Sequence, residues 1–165
     1  MIFVTVGTHE QGMDRLLIEL DRLIENSLIE SEVIAQIGYS DYKPKNYKYK
    51  ELISYDEMDE LVKKADIVIT HGGPGSIFHA IHYKKVPIVV PRNPIFNEHI
   101  DDHQILFTRR LDDEKKIIGV YEIKDLEKLI VNDEALIEKC TYNSSNRLKF
   151  IKKFKKLIDN NLNLS

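Results

Sequence analysis

The chain of 165 residues has a single cysteine, Cys140. One thiol excludes an intramolecular disulfide framework and fits a reducing compartment. No Cys/His grouping has zinc-site spacing. No run approaches the roughly eighteen apolar residues that a membrane-spanning helix needs. The opening "MIFVTVGTHE" lacks both a basic n-region and a long apolar stretch, so no secretory leader is expected. Charge is nearly balanced, 24 Lys and Arg against 27 Asp and Glu, so no nucleic-acid partner is expected. Neither a GxxxxGKS/T loop nor a GxGxxG fingerprint with a following acid is present, which weakens ATPase and NAD readings. No Gly/Ser/Pro linker, internal repeat or low-complexity segment divides the chain.

What is present alternates. Short apolar runs predict strands at 2–7, 32–38, 49–54, 66–73, 86–92 and 116–121. Between them lie helical patterns at 13–28, 56–65, 76–85, 97–111, 123–130 and 134–140. In the first, Met13, Leu16, Leu17, Leu20, Leu23, Ile24 and Leu28 keep the i, i+3, i+4 spacing of a one-sided helix. The polar, aromatic and basic stretch 41–50 reads as a loop. The order predicts right-handed βαβ units: an α/β fold with a Rossmann-like parallel sheet and helices on both faces, spanning residues 1–140. Residues 141–165 form a tail. Within it Leu148, Ile151, Phe154, Leu157 and Ile158 share one helical face opposite six basic residues. Such a helix suits its own domain, a partner or an anionic membrane.

Two glycine turns follow predicted strands, "VGTHEQG" and "THGGPGS". The second packs three glycines and a proline into positions 72–75, and its helix is expected to open at Gly75 or Ser76. Glycines admit positive φ and close backbone approach. A helix N-terminus adds free N–H groups and a positive dipole end, suited to phosphate. The same residues also serve a plain strand-to-helix corner. The stretch "PRNPIFNEHIDDHQ" opens on the same edge of the sheet. His99 and His103 stand i, i+4 there, a spacing open to three readings: metal ligation, a polar helix start, or a sugar- or ribose-binding edge.

Together "FVTVGTHEQGMDRLL", "AQIGYS", "ADIVITHGGPGSIFHAI", "KVPIVVPR" and "NEHIDDHQ" resemble the glycosyltransferase family 28 C-terminal domain, over about residues 1 to 130. That domain is the donor-binding half of GT-B glycosyltransferases. Stand-alone versions exist as Alg13-type subunits and as PssE-type subunits of capsule and exopolysaccharide synthesis, and the bacterial group is the more similar. The resemblance implies one half of a GT-B fold and a UDP-sugar as substrate, with no cofactor and no bound metal. It implies that Gly7 and Thr8 lie near the diphosphate, and that His71, Gly72, Gly73, Gly75 and Ser76 hold the phosphates. Ile53 would read the uracil edge through its backbone. Glu98, His99, His103 and Gln104 would face donor sugar and ribose, and Arg92 would offset phosphate charge. His9 and Glu10 are the local candidates for a catalytic base, which a partner would otherwise supply. Many relatives carry a ribose-binding glutamate where this chain has His79.

The implied reaction is inverting transfer of a hexose from a UDP-sugar to a lipid-diphosphate-linked saccharide. A membrane-associated subunit of the Alg14 or PssD type would bring the acceptor and hold the protein at the cytoplasmic face of the membrane. Two alternatives stand beside this reading: a nucleotide-sugar-binding regulatory module without chemistry, and a hydrolase that uses the histidines as metal ligands.

Overall fold

The computed structural model describes residues 1–132 and Cys140. The strands are β1 (Ile2–Thr5), β2 (Val33–Gln36), β3 (Lys48–Lys50), β4 (Ile67–His71), β5 (Ile88–Val90) and β6 (Ile118–Gly119). The helices are α1 (Asp14–Glu25), α2 (Tyr55–Lys64), α3 (Pro74–His82), α4 (His103–Asp113) and α5 (Lys124–Asn132). The six strands form one sheet in the order β3-β2-β1-β4-β5-β6, every neighbouring pair parallel.

Side-chain alternation divides the core between two faces. From β1, β4 and β5, Ile2, Val4, Ile67, Ile69, Ile88 and Val90 point to one face. They meet Leu16, Leu17, Leu20 and Leu23 of α1 and Leu126 of α5. Each fully buried leucine of this kind stabilises the fold by about 2 kcal/mol relative to an exposed one. Phe3 and Val68 point the other way, against Val62 of α2 and Ala80 of α3. Val89 packs with Ile77 of α3 and Leu111 of α4. The predicted α/β class, with helices on both faces of a parallel sheet, is therefore the observed one.

Local chemistry sets the element ends. Ser54 caps α2 by accepting the Glu57 N–H at 3.2 Å, and Lys63 and Lys64 lie in its last turn. The 41–47 loop is tied to α1, because the buried Asp21 carboxylate accepts the Lys45 and Asn46 N–H groups and the Tyr42 hydroxyl. The predicted third strand is shorter and earlier than expected. Only Lys48–Lys50 pairs with β2, at an exposed edge of the sheet.

The expected 97–111 helix starts six residues late. Asn93 accepts the Ile95 N–H and sets a 3₁₀ turn at Pro94–Phe96, and Asn97 follows in the left-handed region. Asp101 then accepts the His103 N–H, where α4 begins. The reading of His99 and His103 as neighbours on one helix face is thereby corrected: His99 lies in the loop before α4. Cys140 is buried and helical, and its carbonyl accepts the Val86 N–H at 2.8 Å. The remainder of the predicted 134–140 helix and the basic tail helix lie outside the described residues.

Candidate functional site

The strand order turns back between β1 and β4. That is the topological switch point, where the carboxyl ends of parallel strands open a crevice. β1 leads into Gly7 and Thr8, and β4 leads into His71 and the glycine turn. Gly7 has φ +78°, and its N–H donates to Thr5 Oγ1 at 3.1 Å. Thr5 in turn donates to Gln36 Oε1 of β2 at 2.7 Å, so the first turn is tied to its neighbouring strand.

The His71 ring is wedged between the two glycine turns. A Cβ on Gly7 would come within 2.5 Å of the ring, and one on Gly73 within 2.2 Å of Nε2. Both positions therefore need glycine on grounds of space, and Gly7 needs it for its dihedral as well. Burial pushes the His71 pKa down to about 4, aided by the Arg92 charge and opposed by the Thr5 carbonyl. The ring is neutral at pH 7. Gly72 packs on α4 instead, where an added Cβ would lie 2.9 Å from Gln104 Cβ.

α3 opens one or two residues earlier than the sequence suggested, with Gly73 as its N-cap and Pro74 at N1. Proline suits that position, since it has no N–H to leave unpaired. No side chain caps the helix. The Gly75 and Ser76 N–H groups thus meet the positive end of the helix dipole at an open mouth, and nothing lies within 4 Å of a Cβ built on Gly75. In front of them lies a cleft of about 320 Å³. Gly7, Thr8, Ile53, His71, Gly73, Gly75 and Ser76 all line it, brought together from three separate loops.

The remaining predicted residues gather around the β5–α4 loop, and two of them face inward. Arg92 is 1% exposed. Its guanidinium donates to the carbonyls of Val6 (2.8 Å), Glu98 (2.9 Å), Gly12 (3.3 Å) and Gln11. Glu98 is 3% exposed, and its carboxylate accepts Arg15 Nε at 2.8 Å and the Asn93 N–H at 3.0 Å. The expectation that Glu98 faces a sugar is corrected on this geometry, and Arg92, expected to offset phosphate charge, spends its guanidinium on backbone carbonyls. A loop folded over a sheet edge would otherwise bury unpaired carbonyls and amides, and these two side chains satisfy them. Burial is the main cause that lowers the pKa of both His71 and His9, and the Arg92 charge, reaching them as a field, adds to it.

Gln104 Oε1 accepts the Arg92 N–H at 3.2 Å and fastens α4 to the same loop. Asp101 takes both neighbouring histidines, with Oδ1 3.0 Å from His99 Nδ1 and Oδ2 2.8 Å from His103 Nδ1. That contact raises the pKa of His103, whose side chain is 82% exposed. Among the described residues no group of three His, Cys, Asp or Glu side chains is arranged to hold a metal ion. His9 lies against His99, ring centroids 4.9 Å apart, and its Nδ1 accepts the Gln11 N–H at 3.2 Å. The neutral His9 ring accordingly carries its proton on Nε2 and is a donor there. Glu10 is exposed.

Sequence reasoning missed Tyr55 and Met58. Both line the cleft and also a second lobe of about 510 Å³, which they share with Gly75, Ser76, His79 and His82. The available signal was the cap at Ser54: it places Tyr55 at the first position of α2, outside the stripe that packs on the sheet. His79, open in the sequence reading, sends Nε2 to Asp59 Oδ1 at 3.1 Å.

Solved structures share this architecture. The glycotransferase of kitacinnamycin aligns with a TM-score of 0.61 and 16% identity, over 84% of this chain and 37% of that one. MurG of Acinetobacter baumannii gives 0.57 and 20%, over 84% and 43%. SnogD from Streptomyces nogalater gives 0.56 and 22%, over 84% and 36%. At these identities the likeness is one of fold. This chain spans less than half the length of each. No curated protein sequence matches it. The family model for the glycosyltransferase family 28 C-terminal domain matches residues 1–161, and the chain belongs to that family.

Proposed function

We propose that this chain is the donor-binding subunit of a two-component inverting glycosyltransferase. Its substrate is a UDP-sugar, and the hexose passes to a lipid-diphosphate-linked saccharide in capsule or exopolysaccharide synthesis. The observation that carries the reading is convergence: loops after β1, β3 and β4 meet over the uncapped N-terminus of α3, in one cleft at the switch point. The diphosphate sits on the Gly75 and Ser76 N–H groups, where the dipole favours the charge that builds on departing UDP. The His71 ring, neutral and fixed, shapes the floor of that seat.

The acceptor hydroxyl must lose a proton to a base. His9 holds its Nδ1 lone pair in a backbone hydrogen bond. Glu10 is thus the better local base, with the partner as the other source. The acceptor comes on a membrane-associated subunit of the Alg14 or PssD type, which places this protein at the inner face of the membrane. Among the described residues no helix is long and apolar enough to cross a membrane.

The test is calorimetric titration of the purified chain with UDP, beside Gly75→Asp. Position 75 has open space, so the variant keeps the fold while adding a carboxylate where phosphate would sit. Wild-type binding with loss in the variant supports the reading, and equal binding removes the phosphate seat from α3. Transfer activity on co-expression with the partner then separates a catalytic subunit from a regulatory binder.

A further inference from the structure

Charge is unevenly placed along the chain. Residues 141–165 carry six Lys and Arg against one Asp, whereas residues 1–140 carry 18 Lys and Arg against 26 Asp and Glu. The tail is basic and the body before it acidic, so the nearest anionic surface open to the tail is its own domain.

The tail starts from a defined place. The Cys140 carbonyl accepts the Val86 N–H just before β5, at the amino-terminal edge of the sheet. Cys140 belongs to the core on the α1 side, together with Ile29 and Val33. On that edge and that side lies a pocket of about 280 Å³. Ile24, Ile29, Val33 and Tyr47 give it an apolar lining, and Glu30 and Glu32 stand at it. Glu32 pairs with Lys48, but Glu30 and the exposed Glu25 beside Ile24 make no ion pair among the described residues. Apolar lining and spare carboxylates match the two faces that the tail sequence presents.

The reach is also sufficient. β2 lies three strands from β5 in the sheet, about 14 Å across. Residues 141–145 span about 17 Å when extended. We propose that residues 146–158 dock over this pocket as an amphipathic helix. Leu148, Ile151, Phe154, Leu157 and Ile158 cover its apolar lining, and the flanking lysines face Glu25, Glu30 and Glu32. A tether this short keeps the tail at high effective concentration over the pocket. An anionic membrane must compete from outside and against the negative charge of the body. The pocket is on the sheet edge opposite the glycine-turn cleft, so this inference does not depend on donor binding.

The test is amide hydrogen exchange of the full chain, comparing wild type with Phe154→Asp and with the double variant Glu25→Lys, Glu30→Lys. In wild type the amides of 146–158 should be protected. Each variant should speed their exchange about tenfold or more, together with exposed amides of 28–33, while β1 and β4 stay protected and show the fold intact. Unprotected tail amides in wild type would overturn the proposal. Release of the tail in Phe154→Asp with 28–33 unchanged would place the docking site elsewhere. Tail protection that appears only with phosphatidylglycerol vesicles would make the membrane the occupant. Protection that rises with protein concentration would make it a second copy.

Discussion

His71 Nε2 lies so close to Gly73 that a single added Cβ would stand 2.2 Å from it. The contact joins the last residue of β4 to the cap of α3, and it makes the glycine turn a packed object. Gly73→Ala must displace the imidazole or the turn. It should destabilise the protein by about 1–3 kcal/mol, the usual effect of overpacking. Gly75→Ala, with free space around it, should change stability by less than about 0.5 kcal/mol. Denaturant unfolding of the two variants checks the contrast.

The same wedge predicts an acid weakness. The folded pKa of His71 is pushed down to about 4, below the ordinary 6.5. The unfolded chain therefore binds more protons between these values, and stability rises with pH across that window. Lowering pH from 7 to 5 should cost about 2 kcal/mol through this group alone. In His71→Asn that part of the pH slope should vanish. Urea midpoints at the two pH values measure it.

Glu98 is buried between Arg15 and the Asn93 amide. Glu98→Gln keeps the shape and removes the charge, leaving Arg15, 14% exposed, without its ion partner. A loss of about 1–3 kcal/mol is expected. UDP affinity of the folded variant should be unchanged, because the carboxylate faces the loop. A variant that kept its unfolding midpoint but lost UDP-sugar binding would return Glu98 to the ligand.

Asp101 raises the pKa of His103 by hydrogen bonding and charge. Asp101→Asn should lower it towards the ordinary value, visible in the NMR titration of the His103 ring protons. The sign on stability is opposite to that of His71: a raised folded pKa helps below the unfolded value, and the help fades as pH rises through the folded one. An unchanged titration would show that the Asp101 contact is not held in solution.

Periodicity carried most of the fold. β1, β4 and β5 are apolar enough to be buried on both faces, and α1 repeats leucines on one side only. These patterns are local, so they can be read along the chain. The phosphate turn was legible for the same reason, since glycine and proline announce a special backbone. The β5–α4 region was not. His99 and His103 have helical spacing, but Asn93 and Asp101 bond nearby amides and delay the helix until His103. Such competition between side chain and helix is decided by geometry that spacing does not contain.

By itself the sequence determined the parallel α/β architecture, the glycine turn and the set of loops that reach the carboxyl edge. The direction of each charged side chain was decided only by tertiary structure. Arg92 and Glu98 look like ligand groups in a string of polar residues. In the folded chain they meet carbonyls and amides from loops distant in sequence, and the cost of burying those groups unpaired draws both side chains inward. Tyr55 is the reverse case: an ordinary helix residue in the sequence, it becomes the wall of the cleft because α3 sets His79 beside it.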